Sequence, residues 1–331
     1  MKTVDFIPTR STINGPMVET MNGPISTADL GFTLMHEHII VRSEGMAKNF
    51  PQVWNPQPVL DKAVELLTAL KARGVDTIVD LTVLGLGRDV PLLLPVVEKT
   101  GIQVIAATGF YFFNDLPPYF RDRDADEMAG LFVGDITEGI QGTRVKAAIL
   151  KCATDAPGVT PGIEKLLRAV ARAHLRTGVP ICTHTHAATR RGLEQQDIFA
   201  AEGVDLNRVI IGHSGDSDNL DYLTKLLDRG SYIGMDRFGL DFFLPEEKRI
   251  ATIAKLCQMG WAERMVLSHD AMVYFDVYEL GVIESFRPNW NYFHIVNNII
   301  PKLLEAGVGP KQIDIMTRDN PRRIFENVET Y

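Results

Sequence analysis

Short β-branched or apolar runs alternate along this chain with longer stretches whose apolar residues recur every three or four positions. Eight runs stand out: Thr33 to His38, Thr77 to Thr82, Gln103 to Phe110, Val145 to Ala153, Val179 to His186, Arg208 to His213, Ser231 to Arg237 and Met265 to Asp270. Strands apolar on both faces belong to parallel sheets covered on both sides. Between them, PQPVLDKAVELLTALKARG places Leu60, Val64, Leu67 and Leu70 on one helical face and stops at Gly74. IEKLLRAVARAHLRTG ends the same way at Gly178, and DNLDYLTKLLDRG at Gly230. This repeat of helix, glycine, strand and polar loop predicts an α/β fold, a (β/α)8 TIM barrel, because eight parallel strands close a barrel that side chains can fill. A doubly wound open sheet is the competing arrangement. No Ser/Gly/Pro-rich linker interrupts the pattern, so the expectation is a single barrel domain over residues 1–331 with a short N-terminal extension at about 1–30.

Composition narrows the function classes. With 331 residues, 45% of them hydrophobic and 23% charged, the chain can bury a sizeable core. A formal net charge of -8 leaves no basic surplus, which argues against nucleic acid or anionic lipid as partners and points to a small-molecule substrate. Cys152, Cys182 and Cys257 are odd in number and far apart, so they make neither a disulfide framework nor a zinc clip and fit a reducing compartment. The start, MKTVDFIPTRSTING, lacks the apolar centre of a signal peptide, and no window of about 18 apolar residues is present to span a membrane. The expected location is cytoplasmic.

Polar residues interrupt the strand runs mainly at one end. The first run ends Met35-His36-Glu37-His38, the fifth reaches His184, the sixth His213 and the eighth Asp270, while Lys151 lies inside the otherwise apolar fourth. These are C-terminal ends, where barrel enzymes build their active sites. In a strand, residues i and i+2 share a face, so His36 and His38 project together and Glu37 points away. Alone, such a pair can be two hydrogen-bonded histidines beneath a loop. Four imidazoles and a carboxylate converging among apolar residues are costly to bury unless they share a cation. That ligand chemistry suits zinc and related first-row metals. Lys151 has two readings. Its stem can reach a solvent rim, or burial lowers its pKa so that the neutral amine takes up carbon dioxide and becomes a carbamate able to bridge two metals. Of the other histidines, His174 is expected on a helix surface, His294 in a structural position, His186 in a loop beyond His184, and His269 facing away from the barrel centre. No G-x-S-x-G elbow is present, Cys182 lies inside a strand, and Gly85-Leu86-Gly87 lacks the lysine of a phosphate-cradling loop.

The segments TLMHEH, GLGRD, GFYFFNDLPPYF, EGIQGT, LKCATDAPG, GVPICTHT, LEQQ, IIGHSGDSDN, IGMDRFGLD, LSHDA and DNPRRIFE lie between about Gly23 and Phe325. In sequence and order they resemble the phosphotriesterase-like lactonases of the amidohydrolase superfamily. The resemblance implies a binuclear centre, with His36, His38 and Asp270 on the more buried metal, His184 and His213 on the more exposed one, and N6-carboxylated Lys151 between them. Two divalent metal ions are implied, zinc first, although the same ligands accept cobalt, iron or manganese. Tyr111 and Arg237 are implied near the pocket, Asp270 as proton acceptor, Asp216 as the acidic residue that passes protons away from it, and a homodimer as the assembly.

The implied activity is hydrolysis of the lactone ring of N-acyl-homoserine lactones (quorum quenching), with promiscuous phosphotriesterase activity. The segment from Asp236 to Asp241 resembles the lactonase branch, and Phe110, Phe112, Phe113, Phe238, Phe242, Phe243 and Leu244 offer apolar surface for an acyl chain. After Asp270 the chain departs from the family. Ala271-Met272-Val273-Tyr274-Phe275 stands where a tyrosine followed by cysteines is more usual, and Val277 where tryptophan is common, which leaves chain-length preference open. Two further functions stay open: a phosphotriesterase or carboxylesterase as the main activity, and a non-catalytic, metal-stabilised barrel.

Overall fold

The computed structural model describes residues 15–326 and 330–331. At its centre lie eight parallel strands: β1 (Thr33–Glu37), β2 (Thr77–Asp80), β3 (Gln103–Gly109), β4 (Ile149–Thr154), β5 (Ile181–Thr185), β6 (Val209–Ile211), β7 (Tyr232–Met235) and β8 (Met265–Leu267). They pair in chain order from β1 to β8. The two ends then meet at a seam. His36 N donates to Ser268 Oγ at 2.9 Å, Asp270 N to His36 O at 3.0 Å, and His38 N to Ala271 O at 2.9 Å. The molecule is thus a (β/α)8 barrel rather than an open sheet.

Helices α1 (Pro56–Lys71), α2 (Val90–Thr100), α3 (Ala125–Thr137), α4 (Pro161–Thr177), α5 (Arg191–Ala201), α6 (Leu220–Asp228) and α7 (Glu246–Gln258) follow the first seven strands in turn, and α8 (Asn320–Glu326) closes the described helices. Their starts follow from local chemistry. Asn55, Asp89, Asp124, Thr160 and Asn219 each accept a hydrogen bond from a first-turn backbone N–H. Gly178 ends α4 at φ 76°, a conformation that costs a residue with a Cβ. In α1 the buried stripe is Val59, Ala63, Leu67 and Leu70, so the expected Leu60 and Val64 sit at its margin.

Two apolar cores result. One lies between strands and helices and includes Leu34, Ile78, Leu150 and Ile181. The other fills the barrel with Met35, Val79, Ile105, Ile149 and Val266, and it is plugged at the N-terminal end of the strands by Val18, Leu30, Ile324 and Phe325. Part of the expected N-terminal extension supplies that plug: Met17–Val18 pairs with Ile25–Ser26, and the turn Thr27–Leu30 follows. Residues 1–14 of the extension lie outside the described residues. Among the described residues no helix is long and apolar enough to cross a membrane.

His174 requires a correction. It is fully buried, with Nδ1 on Val179 O at 2.7 Å and Nε2 on the Tyr331 hydroxyl at 2.8 Å. The neighbouring Arg172 and Arg176 suggested a solvent face, but His174 lies four residues after Val170 and seven after Leu167, on the apolar stripe of α4.

Candidate metal centre and pocket

The C-terminal strand ends bring the expected residues together, and three local devices aim them. In β1 the pairing with β2 shifts register between Leu34 and Glu37. This extra residue lets both Met35 and His36 face the barrel interior while Glu37 stays outside, where strict alternation would turn His36 outward. After β6 and β8, His213 and Asp270 adopt left-handed backbone at φ 58° and 57°, which turns their side chains into the mouth. Finally, Gly212 and Gly234 leave room for the Asp236 carboxylate, since a Cβ on Gly234 would lie 2.3 Å from Asp236 Oδ2.

Asp270 sits at the centre. His38 Nε2 lies 3.2 Å and His36 Nε2 3.5 Å from its Oδ1, and His213 Nε2 3.7 Å from its Oδ2. The rings of His36 and His213 stack at 4.7 Å, and the His184 ring stands edge-on to His213 at 4.6 Å. Donor atoms of His36, His38 and Asp270 lie within 4.8 Å of one another, a spacing that could hold a cation. Those of His36, His213 and Asp236 are equally close, but Asp236 already bonds both Nδ1 atoms, at 2.9 and 3.0 Å. Asp236 therefore orients the two rings and leaves each Nε2 facing Asp270.

Lys151 is fully buried. Its Nζ bonds His36 Nε2 at 2.9 Å, and no carboxylate comes within ion-pair distance among the described residues. Burial lowers its pKa, favouring the neutral amine. The snorkelling alternative for Lys151 is thereby excluded. Burial also holds His36 low and His213 well below the ordinary imidazole value, and brings His184 to about 4, so these rings stay neutral as donors. Burial opposes charge on Asp270, yet the hydrogen bond with His38 and the Arg237 guanidinium hold it well below the usual carboxylate range. Neutral imidazole donors, an ionised carboxylate and a buried neutral amine are together a donor set that fits divalent metal.

Around this core, Arg237 Nε donates to Asp270 Oδ2 at 2.9 Å and its Nη1 to Asp216 Oδ2 at 3.0 Å. Arg249, buried, donates to Asp216 Oδ1 at 2.7 Å and also to the carbonyls of Gly215, Leu240 and Leu244. The Tyr111 hydroxyl faces His184 Nδ1 at 3.4 Å, and burial raises its pKa, keeping it a proton donor. Trp290 Nε1 donates to the carbonyls of His269 and Asp270, which fixes the strained turn. Glu37 and His269 bond each other outside the barrel, as their strand parity predicts. His186 lies in a loop against Thr189, and His294 is buried against Glu246.

A cavity of about 330 Å³ opens over this floor of His36, His38, His213 and Asp270. Phe242, Phe243, Met272, Phe275, Tyr278 and Phe286 line its walls. Of the aromatics expected to hold an acyl chain, only Phe242 and Phe243 reach the wall. Phe110 packs on Phe120 and Phe132, Phe238 and Leu244 are buried, Phe112 packs on the outer core, and Phe113 lies beside His184. Most of the wall comes instead from the segment after Asp270. Sequence reasoning missed Asp236, Asp155, whose Oδ2 lies 2.7 Å from His184 Nε2, and Arg249. The first two carried a readable signal, a carboxylate at or just past the end of an apolar strand, the same placement that marked the histidines.

The match to known proteins covers nearly the whole chain. A protein-family model described as the phosphotriesterase family matches residues 16–325. A Mycobacterium tuberculosis protein named phosphotriesterase homology protein is 52% identical, covering 96% of this chain and 99% of its own. An aryldialkylphosphatase of Saccharolobus solfataricus is 44% identical, covering 91% and 96%. The solved structure described as the phosphotriesterase from Mycobacterium tuberculosis superposes with a TM-score of 0.93 at 51% identity, covering 96% of this chain and 100% of that one. With barrel, strand-end histidines and full-length similarity in agreement, the chain belongs to the phosphotriesterase family, whose members are metal-dependent hydrolases acting on small molecules.

Proposed function

We propose that the chain is a metal-dependent lactonase that hydrolyses N-acyl-homoserine lactones, with phosphotriester hydrolysis as a side reaction of the same centre. The observation that carries this reading is a single pocket with two halves, a polar floor and an apolar wall. A ring carbonyl matches the floor and an acyl chain the wall, where each buried methylene contributes about 0.8 kcal/mol. We assign His36, His38 and Asp270 to one divalent cation and His184 and His213 to a second, with Lys151 as a carbamate between them; zinc, cobalt, iron or manganese would suit. When bound, such a pair supplies a hydroxide at neutral pH.

The chain's own groups do the rest. Asp270, ionised, accepts the nucleophile's proton at Oδ1 while Arg237 holds Oδ2, and delivers it to the ring oxygen as the acyl C–O bond breaks, leaving the ring-opened hydroxy acid. Tyr111 donates its O–H toward the oxygen on which charge develops. Asp216 lies across Arg237 from Asp270, and a guanidinium does not release its proton at neutral pH. Asp216 therefore acts through Arg237, as a counter-charge that keeps the guanidinium in place, rather than as the next carrier of the proton. The buried, free cysteines support a reducing, cytoplasmic setting, and the homodimer follows from the resemblance.

The name of the aryldialkylphosphatase relative favours a second reading, with phosphotriesters as the main substrates. Comparing kcat/KM for a long-chain acyl-homoserine lactone and an aryl dialkyl phosphate, on metal-analysed protein before and after chelation, separates the two. The expected outcome is about two metals per chain, chelator-sensitive acid release and preference for the lactone. Asp270→Asn should bind the cation of His36 and His38 more weakly and, measured with metal supplied in excess, lose about 100-fold or more in kcat. A higher kcat/KM on the phosphotriester overturns the lactone assignment, and metal without turnover of either substrate identifies a metal-stabilised barrel.

A further inference from the structure

An imidazole presents one ring nitrogen inward according to what the other one bonds. His36 and His213 place Nδ1 on Asp236, at 2.9 and 3.0 Å, and His38 places Nδ1 on Thr82 Oγ1 at 2.9 Å. All three therefore direct Nε2 at Asp270. His184 is inverted. Its Nε2 bonds Asp155 Oδ2 at 2.7 Å, and its Nδ1 is the atom facing the pocket side, 3.4 Å from the Tyr111 hydroxyl.

Asp155 is the first residue after β4, one strand before the one that carries His184. A tight turn holds it: Gly158 N donates to Asp155 O at 2.8 Å, and Arg191 Nη2 donates to the Ala156 carbonyl at 2.8 Å. The carboxylate accepts from Ala156 N on Oδ1, which leaves Oδ2 for His184. Asp236 and Asp155 thus orient three of the four histidines, one carboxylate holding His36 and His213 from within the barrel and the other holding His184 from the loop, while Thr82 holds His38.

We propose that Asp155 is a positioning residue that fixes the ring of His184 with Nε2–H outward and Nδ1 inward, and so sets the affinity of the more exposed cation independently of the buried one. The inference rests on the binuclear reading given above and adds to it a separate control on each metal. A carboxylate behind a metal-binding imidazole pre-orients the ring and raises its basicity, and losing it weakens metal binding by roughly 10- to 100-fold. Without Asp155 the ring can rotate and the Nδ1 geometry is no longer imposed.

Titration of chelator-stripped protein with cobalt, followed by absorption and by metal per chain, reads the two sites as two steps. The parent should show both. In Asp155→Ala the first step should stay at the parent affinity and the second should weaken by about 10- to 100-fold, with the unfolding midpoint of the metal-free protein unchanged; Asp155→Glu should recover part of the loss. If Asp155→Ala does not fold, Asp155→Asn, which keeps the shape and removes the charge, should show the same selective weakening. An unchanged second step, equal weakening of both steps, or no recovery in Asp155→Glu overturns the role of Asp155 while leaving the binuclear centre standing. A parent that takes up no cobalt in two steps overturns the centre itself.

Discussion

His213 and Asp270 are two of the four non-glycine residues with positive φ among the described residues. Such backbone costs about 1–3 kcal/mol and persists where the surroundings over-determine it; here Trp290 and the seam to β1 hold Asp270, and Asp236 holds His213 through its N–H and Nδ1. Strand periodicity could mark both residues as strand-terminal, yet it could not show this turn, because alternation carries no information past the last ladder pair. His174 gives a contrasting residue whose cost depends on pH. Burial lowers its folded pKa from the ordinary 6.5, so the unfolded chain takes up a proton below that value before the folded one does. Its contribution is thus most favourable above about pH 6.5 and is lost as pH falls below it. The melting-temperature advantage of the parent over His174→Gln should therefore narrow between pH 7.5 and pH 5.5, and an advantage that widens would contradict the buried neutral ring.

Strand β7 shows how a single position serves both packing and chemistry. Gly234 has Gly212 Cα 3.1 Å and Asp236 Oδ2 2.3 Å from where a Cβ would stand, so Gly234→Ala must displace the carboxylate that orients His36 and His213. Such overpacking typically costs about 1–3 kcal/mol, and urea unfolding together with metal content should show both stability and metal falling. Gly130→Ala, on the exposed side of α3 with nothing within 4 Å, should instead gain about 0.5–1 kcal/mol by restricting the unfolded chain. All eight strands were legible from apolar runs, because a buried parallel sheet leaves no polar face to blur them. Their ends were less so. The fourth run was read from Val145, but the strand begins at Ile149; Val145, Ala147 and Ala148 are a buried lead-in to it, apolar because they pack against the core. The register shift in β1 was invisible for a different reason: His36 and His38 share a face with or without it, and only the pairing partner reveals the extra residue.

The barrel divides its labour between its ends. The C-terminal end carries the histidines and the pocket, and the N-terminal end carries a plug of Val18, Leu30, Ile324 and Phe325. Phe325→Ala should cost about 3–5 kcal/mol in urea unfolding while the folded fraction keeps its full metal content, since the change lies at the end opposite the site. Loss of metal from well-folded Phe325→Ala would show that the ends are coupled. The seam between β1 and β8 has a consequence for synthesis. His36 and His38 emerge early from the ribosome, yet the carboxylate they face belongs to Asp270, and the hydrogen bonds that close the ring join residues 36–38 to residues 268–271. A nascent chain that has not yet reached Asp270 carries His36 and His38 without the carboxylate they face and without the strand that closes the ring, so this half of the centre waits, through most of translation, for the last strand.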